Sequence, residues 1–83
     1  MSTLTMETID SKLYLLMSEK LGLEPAEIHP GDHFSDDLGV DSLDVTELFA
    51  EVEKEFGIKI SDEDAEKLTT VQSLVGYVHR HLS

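Results

Sequence analysis

Apolar positions recur at helical spacing over three stretches of the chain. Ile9, Leu13, Leu16 and Met17, with Leu21 continuing the stripe, predict a first helix over about Met6–Leu21. Gly22 follows the last apolar position, as a C-terminal stop does. Val45, Leu48, Phe49, Val52 and Phe56 then fall at i, i+3, i+4, i+7 and i+11, one apolar face of a second helix that Gly57 ends. That helix opens near Ser42, behind Asp41 as a good N-cap, and Asp44 three residues on suggests a variant of the capping box. Val71, Leu74, Val75, Val78 and Leu82 line a further helix capped by Thr70, with Arg80 near the end where positive charge suits the dipole. Between these two, Ile58 and Ile60 flank Lys59 in a stretch too short for a strand. Ser61-Asp62-Glu63-Asp64 then reads as a cap and acidic first turn of a short helix to about Leu68.

No helical or strand period survives between Gly22 and Asp41, where Pro25, Pro30 and Gly31 punctuate the chain. Ile28, Phe34 and Leu38 are expected to dip into the core and hold this connection down. A loop of that length in a small domain is more often functional than idle. The expected architecture is all-α: a small four-helix bundle of three longer helices and one short one, with a long loop between helices 1 and 2, forming one domain over residues 1–83.

Composition narrows what such a bundle does. The core must be built mainly of aliphatic side chains, since the chain has no Trp. There are 18 acidic residues against 6 Lys plus Arg, a formal net charge of -12. That surface repels phosphate backbones, which argues against nucleic-acid binding, and it attracts partners with basic patches. With no Cys there is no disulfide, thiolate nucleophile or Cys metal site. Residues 1–5 show no basic run leading into an apolar stretch, and no segment approaches membrane-spanning length, so a cytoplasmic monomer without a secretory leader is expected.

His29, His33, His79 and His81 read as ordinary surface histidines. The acidic residues miss the spacing of a calcium loop, so only diffuse divalent screening is expected, at Asp36, Asp37, Asp41 and Glu47, and no dedicated metal site. Ser42 has no His or Lys placed as a base and no Gly-x-Ser-x-Gly elbow, so no catalysis by the chain itself is expected.

One locus gathers the remaining signals. At about 100° per residue the core face of the second helix centres between Leu48 and Phe49. Leu43, Glu47, Ala50 and Lys54 lie opposite, with Thr46 beside them. Leu43 therefore points to solvent beside Ser42, which stands at the first helical position. A phosphodiester there would meet free backbone N–H groups and the positive end of the dipole. Between Asp36 and Glu55 the chain has eight acids and one base, so more than half of the net charge lies in this quarter.

The string Asp36-Asp37-Leu38-Gly39-Val40-Asp41-Ser42-Leu43-Asp44 resembles the attachment motif of acyl carrier proteins of the fatty-acid type. Its heart is Leu38-Gly39-x-Asp41-Ser42-Leu43. The likeness extends through Phe34, Glu47-Leu48, Glu53-Lys54-Glu55-Phe56, the run Ile58 to Lys67, Thr69-Thr70-Val71 and Tyr77. It implies a 4′-phosphopantetheine arm, derived from coenzyme A, on Ser42, whose terminal thiol carries acyl groups as thioesters. The arm would supply the thiol this chain lacks.

The resemblance implies partners too: a phosphopantetheinyl transferase, then ketoacyl synthases, reductases, dehydratases and acyltransferases with basic docking patches. The residues expected to meet them are Asp37, Asp41, Leu43, Asp44, Glu47, Ala50 and Glu51. It also implies that the acyl chain retreats between the helices, against Phe34, Leu38, Val45, Leu48, Val52, Ile60, Ala65, Leu68 and Leu74. The chain departs from the commonest family pattern on the second helix. Ala50 stands where a larger apolar residue is frequent, Val45 and Thr46 look transposed, Phe49 is bulkier than usual and Glu51 replaces a small residue. The alternatives are a specialised carrier (polyketide, aminoacyl or D-alanyl), an acidic divalent-ion-binding protein, or an interaction module that uses its acidic face alone.

Overall fold

The computed structural model describes residues 6–82. The reading of residues 1–5 as lacking a leader lies outside them. Four α-helices occur among the described residues: α1 (Met6–Leu21), α2 (Ser42–Phe56), α3 (Asp62–Lys67) and α4 (Val71–Leu82). The fold is the expected all-α arrangement of three longer helices and one short one.

The apolar stripes meet in one core. Ile9, Leu13 and Met17 of α1, Leu48, Phe49, Val52 and Phe56 of α2, and Val71, Leu74, Tyr77 and Val78 of α4 are buried together. α1 lies most extensively against α2. Two ion pairs run along that seam at partly exposed positions, Lys12 to Glu55 at 3.4 Å and Lys20 to Glu51 at 3.8 Å, and with water at hand they add little. α1 and α4 are joined at His79, whose Nε2 lies 2.7 Å from the Asp10 carboxylate.

His79 corrects one expectation, for only 19% of its side chain remains exposed. His81 is likewise engaged, its ring stacked 4.1 Å from that of Tyr77. His79 is thus no ordinary surface histidine, because a neighbouring helix covers it, whereas His81 stays exposed with an i, i+4 ring partner.

The long connection is held down as expected. Ile28 and Phe34 are buried and Leu38 packs against the core. It also contains what periodicity missed, a 3-10 turn at Pro25–Glu27 in which the Glu24 N–H donates to the Glu27 carboxylate at 2.9 Å. Further along, the loop is stitched to the start of α4. Phe34 N–H donates to Thr69 C=O at 3.0 Å, Val71 N–H to Asp32 C=O at 3.0 Å and Gln72 N–H to Pro30 C=O at 2.8 Å. These non-local backbone bonds fix where the loop delivers the chain to α2.

Candidate functional site

Gly39 sets the approach to α2. Its φ of +67° lies in the left-handed region that a Cβ disfavours. That reversal lets Val40 turn inward, 7% exposed, with its N–H donating to Phe34 C=O at 2.8 Å. Asp41 then faces outward in an extended conformation, and its carboxylate accepts from the Asp44 N–H at 3.1 Å. The cap is this single bond rather than the reciprocal box the sequence suggested, since Asp44 is too short to reach back as Glu does.

Ser42 is the first residue of α2 and is exposed. The first intrahelical bond runs from Val45 N–H to Asp41 C=O at 3.1 Å. Ahead of it the N–H groups of Ser42 and Leu43 have no intrahelical acceptor and point along the positive end of the dipole. Thr46 Oγ1 donates to Ser42 C=O at 2.8 Å and tightens this first turn. An uncovered hydroxyl beside two unclaimed donors, at the positive end of a helix dipole, suits a phosphodiester. The residues present fit a serine-linked phosphopantetheine.

The acidic residues surround this point. Asp41, Asp44 and Glu47 are exposed, and Leu43 is 66% exposed, an apolar side chain standing in solvent beside Ser42. Ala50 is exposed on the same outward side of α2. Asp37 sits on the loop, where its carboxylate accepts from the His33 N–H at 2.8 Å. Glu51 is only half exposed and turns toward Lys20. Among the described residues no group of three or more His, Asp or Glu side chains is arranged to hold a metal ion.

A cavity of about 540 Å³ opens beside Ser42. Phe34, Val45, Ala65 and Leu68 line it, together with Ser42 itself. The other residues named for a cavity lie elsewhere. Leu48, Val52 and Leu74 are fully buried core, and Leu38 and Ile60 pack at the core's edge. Val40, Phe49 and Thr46 complete the inner wall, while His33, Ser35, Asp36, Glu66 and Thr69 form a polar rim. The signal for Thr46 and Phe49 is the i, i+3, i+4, i+7 row that starts at Ser42 rather than the row that centres on the core. The rim residues come from the loop, from α3 and from the α3–α4 junction, and backbone bonds such as Phe34 N–H to Thr69 C=O bring the loop against that junction.

Residues 11–78 match the family described as "Phosphopantetheine attachment site". The chain is also 47% identical over 75 residues to the acyl carrier protein of Chlorobium phaeobacteroides, across 90% of this chain and 96% of that one. The chain belongs to the acyl carrier protein family. Membership makes it a carrier with a covalently attached phosphopantetheine, and not an enzyme. No helix among the described residues is long and apolar enough to cross a membrane.

Proposed function

We propose that Ser42 is the attachment point and that the chain serves fatty-acid synthesis in the cytoplasm as a single carrier domain, presenting acyl groups to successive enzymes. The observation that carries the site is the Ser42 hydroxyl exposed at the mouth of α2, on the rim of an apolar cavity. The prosthetic group supplies a terminal thiol that holds acyl groups as thioesters. The chain's own residues do the rest. Ser42 anchors the phosphodiester, and the N–H groups of Ser42 and Leu43 offset its charge. Phe34, Val45, Ala65 and Leu68 offer the cargo an apolar shelter.

Asp37, Asp41, Asp44, Glu47 and Glu51 draw basic patches on a phosphopantetheinyl transferase and on synthases, reductases, dehydratases and acyltransferases. Leu43 and Ala50 supply close contact at the centre of that face. Three acids around Ser42 oppose a phosphodiester, so the transferase must bring positive charge or a metal ion to the reaction. Encounter through exposed charge is fast, and the resulting complexes are weak and short-lived.

The test is intact-mass measurement after incubation with a transferase and coenzyme A. The wild-type chain gains the mass of one phosphopantetheine and Ser42→Ala gains none. A gain that persists in Ser42→Ala overturns the assignment. Cargo on protein isolated from its host then separates a fatty-acid carrier from a polyketide or aminoacyl one.

A further inference from the structure

The cavity ends sooner than the helix beside it. Ser42, Val45, Thr46 and Phe49 of α2 line it, a continuous i, i+3, i+4, i+7 row. The next residues on that side, Val52 and Phe56, do not. At 1.5 Å per residue the lined stretch runs about 10 Å from Ser42. At its far end the Phe49 ring meets that of Phe34 edge to face, with centroids 6.2 Å apart and planes at 78°. Both rings are buried, Phe34 at 2% and Phe49 at 6% exposure. Leu48, Val52 and Leu74, in the same core but outside the cavity lining, are sealed at 0%. The aromatic pair thus stands between the open cavity and the closed core.

We propose that Phe49, braced edge-on by Phe34, is the floor of the cavity and limits the length of acyl chain that the protein shelters. This rests on the reading that cargo held at Ser42 enters the cavity. Phe49 is the adjustable member of the pair, since it sits within α2 between Thr46 and Val52, whereas Phe34 also anchors the loop through its backbone bonds to Thr69 and Val40. A shorter side chain at residue 49 opens a path along α2 toward Val52. A chain too long for the floor leaves its remaining methylenes, or its thioester, in water.

The experiment loads butyryl through hexadecanoyl groups onto the holo form of the wild type, Phe49→Val, Phe49→Leu and Val52→Ala, and measures thioester release by hydroxylamine. In the wild type, release slows with chain length up to a break and then levels off. In Phe49→Val the break moves to longer chains. Two further methylenes taken into the cavity slow release about tenfold at the first length beyond the wild-type break. Phe49→Leu moves the break less and carries the test should Phe49→Val fail to fold. Val52→Ala, behind the floor, leaves the break in place.

A break at the same length in the wild type and both Phe49 variants overturns the proposal, as does an equal shift in Val52→Ala. Release independent of length in the wild type overturns the entry of cargo as well. The attachment at Ser42 is judged separately, by whether the loaded species forms at all.

Discussion

The phenol oxygen of Tyr77 reaches from α4 to within hydrogen-bond distance of two acceptors, Lys59 C=O at 3.0 Å and the Asp64 carboxylate at 2.9 Å, which share its single proton. It ties α4 both to the α2–α3 connection and to α3, whose Ala65 borders the cavity. Burial pushes its pKa above the usual tyrosine value of 10.0, and the bond to Asp64 and that carboxylate's charge push it further the same way. A phenol whose pKa is raised in the folded state favours folding fully below the unfolded value. That contribution is lost as pH climbs through the folded pKa. Thermal unfolding measured from neutral pH to above pH 10 should therefore show stability falling at the alkaline end. Tyr77→Phe should flatten much of that fall while lowering stability at neutral pH by about 1–2 kcal/mol, since the Asp64 carboxylate loses a partner. Tyr14, also raised chiefly by burial, adds to the fall in the same direction. An alkaline limb of unchanged depth in Tyr77→Phe would remove this account. Little of this was legible in the sequence, where Tyr77 was one more match to a family pattern, because its partners lie 13 and 18 residues away along the chain.

Secondary structure was the most legible level, and α2 shows why. Its apolar stripe, its cap and its stop are all local, and the structure places each where the spacing put it. Gly57 has a φ of +66°, and its N–H donates to Glu53 C=O at 2.8 Å, so the helix closes on a conformation that favours glycine. The 3-10 turn at Pro25–Glu27 left no period to read because three residues are too few to make one. The cavity wall was half legible for a related reason. Val45 and Phe34 follow from facing inward, but Val40 comes inside only through the reversal at Gly39 and the bond to Phe34. The same locality yields a prediction for α2. Asp41 accepts from the Asp44 N–H in the first turn, so Asp41→Ala should cost about 1 kcal/mol, a fall in melting temperature of about 4–8 °C. Asp41→Asn, which keeps an acceptor oxygen, should restore most of that loss. If both variants melt alike and well below the wild type, it is the charge and not the cap that matters.

Net charge acts over the whole chain, and it acts on folding and on docking in opposite senses. A chain with -12 on so small a surface repels itself, and the eight acids between Asp36 and Glu55 concentrate that repulsion along α2 and the loop before it. The salt bridges do not offset it, since Lys12 and Lys20 meet single carboxylates at half-exposed positions where ion pairs are worth little. Added salt screens like charges as readily as unlike ones, with a Debye length falling from about 10 Å at 0.1 M to about 3 Å at 1 M. The melting temperature should therefore rise steadily with sodium chloride over that range, while the affinity for a basic partner such as the transferase falls. The second trend reads the docking face directly. Asp44→Asn with Glu47→Gln should weaken partner binding at low salt, chiefly through a slower on-rate, and leave binding at high salt almost unchanged. The same pair should raise the melting temperature at low salt, because each neutralised acid also relieves the fold. A docking face made of those carboxylates requires both movements from one protein. A double variant that binds as fast as the wild type at low salt would place the recognition elsewhere, even if its stability rose as expected.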